Sequence, residues 1–396
     1  MPGRAESRAQ LPLPDDASLA HSKQVAAFIR KEILQAGGSI SFAEFMQLAL
    51  YAPGLGYYSA GAEKFGAGGD FITAPEISPL FSRVLARQCA QVLQPLPVPR
   101  VLELGAGSGL LAAGLLESLP GHGVELASYG ILEVSADLRQ RQQVLLQAKV
   151  PEHAAKVEWL DRLPQAYSGV VIANEVADAL PVERFEKFGG NVLQQRVAVD
   201  DGRFSWTRDK APPFLKDAVS HLEHTLGARL PDGYVSEVST ALPAWIGDIA
   251  ASLDRGFMFL LDYGVSRREY YASDRNDGWL RCHFRHHAHS DPLIYPGIQD
   301  LSAWVDFTAV AEGATNAGLD VAGFVTQAQF LMNGGLEKEM AGFGLLPTAA
   351  QLELARQVKI LTLPGEMGEH FKCIGLSRKH TVVPASFGDF DKAHVL

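Results

Sequence analysis

Between Arg100 and Gly109 the chain reads Arg-Val-Leu-Glu-Leu-Gly-Ala-Gly-Ser-Gly, and this stretch limits the fold more than any other. An apolar run of strand length meets three glycines at alternate positions, and Leu110 to Leu119 continues with a helical pattern. Strand, tight glycine turn and helix in direct succession open a nucleotide-binding α/β unit. Gly105, Gly107 and Gly109 let the backbone turn sharply and let a ligand approach it closely, which a side chain would prevent.

The dinucleotide fingerprint G-x-G-x-x-G seats a pyrophosphate on a helix N-terminus. Here the spacing is Gly105-x-Gly107-x-Gly109, there is no glycine at 110, and Glu103 precedes the turn. This acidic-x-G-x-G-x-G form resembles motif I of class I S-adenosylmethionine methyltransferases. Their ligand carries no phosphate, so the resemblance implies that its amino-acid end lies against the turn. Glu103 is then placed to answer the methionine ammonium. The competing reading is a glycine-rich strand-to-helix turn that binds nothing.

Bulk properties narrow the class. The 396 residues suffice for one large domain or two smaller ones, and 47% hydrophobic with 20% charged residues is ordinary for a folded soluble protein. A net charge of −10 lacks the basic footprint of a general nucleic-acid binder, while leaving room for a basic protein substrate. Cys89, Cys282 and Cys373 are far apart and form no C-x-x-C pair, which suits a reducing compartment. No apolar run reaches membrane-spanning length, and the first twenty residues match neither a secretory signal nor a transit peptide. The expectation is a cytoplasmic protein with no membrane partner.

Along the chain, residues 1–18 read as a tail and 19–95 as an N-terminal helical lid region. Gln24 to Gln35 has helical apolar spacing, Ser41-Phe-Ala-Glu44 is a capping-box pattern, and Tyr51 to Tyr58 is a turn rich in glycine and tyrosine. Pro79 suits the first turn of a further helix. The first part of the core spans 96–181, with strands at 100–104, 128–134, 157–160 and 169–174. Residues 182–240 break the βα rhythm with antiparallel strand patterns near 185–188, 192–199 and 204–206, then a helix near 214–226. The core resumes over 241–380, with strands at 256–263, 320–326 and 369–377 and an active-site insertion at 264–306. Residues 381–396 read as a C-terminal tail. The fold class is α/β, a Rossmann-like parallel sheet with added substrate-facing elements.

Candidate site residues cluster after strand ends, where open α/β sheets bind ligands. Glu133 closes the second strand, where an acid can hold both ribose hydroxyls; a plain surface acid at a helix start is the alternative. Asn174, Glu175, Asp178 and Glu183 lie at and after the end of the fourth strand, where an acidic cluster can grip a cationic nucleophile such as guanidinium bidentately; acids favourably placed at a helix N-terminus are the alternative. Asp262 and Tyr263 end the fifth strand within reach of the site. Cys282 to Asp291 is the densest histidine run, but its spacing matches no zinc template, so His283 and His286 are read as polar residues of an active-site loop and no metal is expected. Asp161 follows the third strand and is a candidate for the adenine. Asp70 and Thr73 belong to a loop, Asp70 to Ser78, expected to lie over the cofactor.

Several strings together resemble one family, the MidA / NDUFAF7 class I methyltransferases. They are Gly69 to Ser78, Leu102 to Gly109, Ile131 to Ser135, Ala173 to Pro181, Leu261 to Gly264, Cys282 to His286 and Gly297 to Thr308. The resemblance covers roughly residues 20–380. It implies a Rossmann-like methyltransferase core, S-adenosyl-L-methionine as cofactor, and methyl transfer to an arginine of a protein substrate. A small-molecule methyltransferase and a binding scaffold without catalysis are the rival readings. The oligomeric state is left open, with a homodimer allowed.

Overall fold

The computed structural model describes residues 11–60, 72–380 and 382–396. Its centre is a sheet built from β1 (Arg100–Leu104), β2 (Ser128–Leu132), β3 (Val157–Leu160), β4 (Tyr167–Asn174), β5 (Leu253–Val265), β6 (Asp320–Thr326) and β7 (Phe371–Arg378). Their spatial order is β6-β7-β5-β4-β1-β2-β3. β7 runs antiparallel to both neighbours and the remaining pairs are parallel. A two-residue strand, Val305–Asp306, extends the end of β5.

The parallel strands alternate between two covered faces, as strands sandwiched by helices should. Val101, Val170 and Ile172 face the helices Pro79–Leu93 and Leu110–Ser118, with Leu85, Leu111 and Leu115 packed on them. Leu102, Val171 and Ala173 face the other way, onto Ile246, Phe307 and Val310 of Leu242–Ser252 and Phe307–Asn316. The chain leaves β1 in one direction toward β2 and β3, then returns to place β4 on the opposite side of β1. This reversal creates the crevice in which open α/β sheets bind their ligands.

A second, antiparallel sheet stands beside the core. Glu183–Phe188 pairs with Asn191–Asp200 and Val235–Val238, and Arg203–Lys210 pairs with Asn191–Asp200. Ser39–Ser41, from the N-terminal region, also joins Asn191–Asp200. The helices Asp16–Gln35 and Phe42–Tyr51 bury Val25, Ile29, Phe42 and Phe45 against Val197 and against Leu280, Cys282 and Leu301 of a three-stranded sheet. That small sheet is Leu280–Phe284 flanked by His287–His289 and Asp300–Ala303.

Three expected boundaries change. The first helix begins at Asp16 with Asp15 as its cap, so the tail does not extend to residue 18. The region 19–95 divides: its first two helices pack on the inserted sheets, whereas Pro79–Leu93 belongs to the core. Residues 382–396 are a strap, not a loose tail. Phe387 is buried against Phe257 and Phe259, and the main chain of Phe324 bonds to Asp391 and Lys392. No helix among the described residues is long and apolar enough to cross a membrane.

Candidate active site

The carboxyl ends of β1, β2, β4 and β5 open onto one cavity of about 1070 Å³. The turn after β1 forms its first wall. Gly105, Gly107 and Gly109 have φ of +64°, +52° and +86°, a region that L-residues other than Asn and Asp seldom enter. At Gly105 a Cβ would also come within 3.1 Å of Val176 Cγ2, so the glycine keeps the turn against the loop after β4. Glu103 sits beneath this turn. The Tyr129 hydroxyl donates to its Oε2 at 2.5 Å. Burial pushes the Glu103 carboxyl up to about 7; the Tyr129 bond opposes the rise and Glu133 adds to it.

Glu133 forms the next wall, one residue beyond β2. Its Oε1 accepts the Ser135 N–H at 2.9 Å and its Oε2 accepts Gln142 Nε2 at 3.2 Å. Ser135 is also the cap of helix Ala136–Lys149, so strand end, acid and helix start are one unit. Burial raises the Glu133 pKa against these bonds. The Gln142 amide reaches the Gly107 carbonyl at 3.0 Å as well, and its oxygen accepts Trp159 Nε1 at 2.9 Å.

The floor follows β4. Glu175 has φ of +54°, unusual for a non-glycine residue and the kind of local strain that clusters at functional sites. Its N–H donates to the Leu261 carbonyl at 2.9 Å, and Asn174 Nδ2 donates to its Oε1 at 3.2 Å. Burial pushes the Glu175 carboxyl up to about 8, and the Asp178 charge adds to this. Asp178 Oδ2 accepts the Tyr263 hydroxyl at 2.5 Å, while its buried Oδ1 has no hydrogen-bond partner among the described residues. Burial, then Asp300, raise Asp178 too.

The loop holds this shape through Asp262. Its Oδ2 accepts the N–H groups of Ala177, at 2.9 Å, and Asp178, at 3.2 Å, and its Oδ1 accepts the N–H of Tyr263 at 2.9 Å. The far wall comes from outside the core. Tyr58 donates to Asp300 Oδ1 at 2.9 Å, Tyr51 donates to the Ala179 carbonyl at 2.9 Å, and His283 lies opposite Asp300 on the paired strands. Trp304 stacks on Trp279 at 4.1 Å and meets Tyr263 edge-on.

Residues 84–325, more than half of the chain, match the model of a family of S-adenosyl-L-methionine-dependent methyltransferases. The chain belongs to that family. A crystal structure from Burkholderia thailandensis with S-adenosyl-homocysteine bound is similar along the whole methyltransferase. It is 42% identical, has a TM-score of 0.92, and spans 98% of this chain and 100% of that one. Two curated relatives bear the name protein arginine methyltransferase NDUFAF7, mitochondrial, or its homolog. The Drosophila melanogaster protein is 30% identical, covering 92% of this chain and 87% of its own. The Homo sapiens protein is 27% identical, covering 87% and 81%.

The residues present fit the family's cofactor. A glycine cradle that a Cβ would obstruct lies between two buried acids, Glu103 and Glu133, and among the described residues no cationic side chain bonds to either. When bound, S-adenosyl-L-methionine supplies a methyl group on a positively charged sulfur. The glycine turn with Glu103 would hold its amino-acid end and Glu133 its ribose.

Not every candidate residue reaches the methyltransferase cavity. Glu103, Gly105, Gly107, Glu133, Thr73, Asn174, Glu175, Asp178, Tyr263 and His283 sit at it, whereas Gly109 does not line it and caps the helix Leu110–Ser118. Thr73 caps the short helix Ala74–Ile77 through a reciprocal bond with Glu76. Asp70 lies outside the described residues. Asp161 does not line the cavity: its side chain is 88% exposed and pairs with Arg139 at 2.8 Å. Glu183 is buried in the inserted sheet, accepting Gln194 Nε2 at 2.9 Å. Asp262 faces the loop backbone instead of a substrate. His286 is exposed at the tip of the hairpin, with φ of +62°. Among the described residues no His, Cys, Asp or Glu side chains gather into a metal-holding group.

Gln142, Asp300, Tyr51, Tyr58 and Trp304 were not legible as site residues. Gln142 looks like one of several polar positions on a helix. The tyrosines and Asp300 reach the cavity only through the packing of the N-terminal helices on the inserted sheets.

Proposed function

We propose that the methyltransferase transfers a methyl group to a guanidinium nitrogen of arginine in a protein substrate. The observation that carries this reading is the acidic floor, Glu175 with Asp178 beside it, at the end of β4. Burial raises both carboxyls, and neighbouring carboxylates raise them further: Asp178 acts on Glu175 and Asp300 on Asp178. A guanidinium entering there would restore both to carboxylates, since an opposite charge favours the ionised form. It would also meet the open Oδ1 of Asp178 with an N–H donor. Charge-assisted, bidentate contacts of this kind orient a planar guanidinium firmly.

The reaction is a displacement at carbon, and alignment is most of the work. Glu175 and Asp178 would fix the acceptor nitrogen and offset its charge. The aromatic side chains Tyr51, Tyr263 and Trp304 line the cavity around this floor, and the low polarity they lend it strengthens these contacts. A purely apolar cavity would have favoured a neutral small-molecule acceptor; this one has carboxyls at its floor. The names of the curated relatives support the same acceptor.

The test is methyl transfer from labelled S-adenosyl-L-methionine to arginine-containing proteins and peptides, with methylarginine identified by mass spectrometry. Glu175→Gln keeps the shape and removes the charge. It should lower turnover by about 100-fold, the scale of losing one electrostatic contact to the reacting group, with cofactor affinity unchanged. Label on another residue type, or full turnover by Glu175→Gln, would overturn the reading.

A further inference from the structure

Transfer of a methyl cation equivalent to a protonated guanidinium leaves one proton to be removed. Two positive charges enter, one on the guanidinium and one on sulfur. The products are a methylguanidinium with one positive charge and a neutral thioether. The nitrogen lone pair forms the new N–C bond, the methyl–sulfur bond breaks with its electrons on sulfur, and an N–H proton must go to a base.

Glu175 is poorly placed to pass that proton on. It is held by Asn174 and by the main chain of Ala74, and of the ionisable groups that act on it among the described residues, Asp178 leads on to Asp300 and Glu76 is engaged by the Thr73 N–H. Asp178 is bonded at Oδ2 to Tyr263, a buried phenol whose own pKa is driven well above its usual value by burial and by Asp178. A phenol of that kind donates and does not accept a proton. The other group facing Asp178 is Asp300, whose charge is the largest influence on Asp178 after burial.

Asp300 has a way out. It is the cross-strand partner of His283 in the pairing of Leu280–Phe284 with Asp300–Ala303, so the two side chains share one face of that sheet. His283 Nδ1 stands 3.7 Å from Asp300 Oδ2, an ion-pair distance that one bridging water or a small rotation turns into a hydrogen bond. The Tyr58 hydroxyl occupies Oδ1 and leaves Oδ2 turned to the imidazole. The side-chain exposures are 4% for Asp300 and 30% for His283, so the pair runs from the interior to solvent.

We propose that Asp300 accepts the proton lost by the acceptor nitrogen and that His283 relays it to solvent; this rests on the guanidinium reading given above. The Asp300 carboxylate takes the N–H proton and passes it to Nδ1 of a neutral His283, and the imidazolium gives a proton to solvent and returns to the tautomer with Nδ1 free to accept. The groups facing His283 are Asp300 across the strand pair, Asp178 and Tyr58 at the cavity, Arg281 two residues along the same strand face, and His289 on the neighbouring strand.

The experiment compares pH–rate profiles of wild type, His283→Ala and Asp300→Asn on a verified arginine peptide, with and without added imidazole. Cofactor affinity is measured in parallel by calorimetry. The expected result for His283→Ala is a loss of roughly 100-fold in kcat, as for removing a general base, with partial restoration by imidazole and cofactor affinity intact. Asp300→Asn should lose as much and gain nothing from imidazole. Unchanged kcat and pH profile in His283→Ala overturns the relay, and so does a loss that imidazole does not restore. If wild type methylates no arginine, the guanidinium reading falls and takes the relay with it. If wild type methylates arginine and His283→Ala keeps pace, only the relay falls.

Discussion

Gln142 braces the carboxylate of Glu133: its side-chain amide lies 3.2 Å from Glu133 Oε2 and 3.0 Å from the Gly107 carbonyl. The helix Ala136–Lys149 thereby ties the acid after β2 to the glycine turn after β1. Gln142→Ala removes these bonds without touching the acid. We expect S-adenosyl-L-methionine affinity to fall by about 5- to 10-fold, corresponding to about 1–1.5 kcal/mol for the lost bond. Calorimetric titration checks this. Glu133→Ala should cost more, and adding Gln142→Ala to it should cost little further, because the two act as one unit.

Glu103 makes the stability of the unliganded enzyme depend on pH. Its carboxyl is raised from 4.5 to about 7 by burial. The folded protein then binds a proton that the unfolded chain releases between these values. The stabilisation is complete below about pH 4.5 and is lost as pH rises through about 7. Glu103→Gln should flatten the fall in Tm between those limits. Calorimetric scans across the window, wild type against variant, would show equal slopes if Glu103 were not responsible.

Asp262 is predicted to matter through the loop and not through a substrate. Asp262→Ala leaves the buried N–H groups of Ala177 and Asp178 without an acceptor. Each such loss costs about 1–3 kcal/mol. Urea denaturation should show a clear drop in midpoint, and turnover should fall because Asp178 shifts. A variant as stable as wild type would remove this role.

Asp161 is expected to be dispensable. Its exposed ion pair with Arg139 contributes at most about 1 kcal/mol. Asp161→Ala should therefore leave cofactor affinity within about 2-fold and stability nearly unchanged. A loss of affinity of tenfold or more would place it in the site after all.

The pattern of agreement between sequence and structure follows the range of the forces involved. The strands at 100–104, 157–160 and 320–326 appear with the boundaries their sequences predict. So does the capping box, in which Ser41 and Glu44 exchange bonds at 2.8 and 3.1 Å. These depend on a few consecutive residues. The helices Leu242–Ser252 and Phe307–Asn316 were not read from the sequence. Their place on the second face of the sheet becomes evident only once that face is known to be apolar.

The chemistry divides the same way. By itself the sequence determined the glycine turn, the acids at 103, 133 and 175, and the sheet edge where they meet, because topology fixes what lies at the ends of successive parallel strands. Tertiary structure alone decided which remaining polar residues join them. Asp262, adjacent to the site in sequence, turns its oxygens to the loop backbone, because buried N–H groups must be paired. Tyr58 and Asp300 are 242 positions apart and bond at 2.9 Å, because the N-terminal helices bury their apolar faces against the inserted strands.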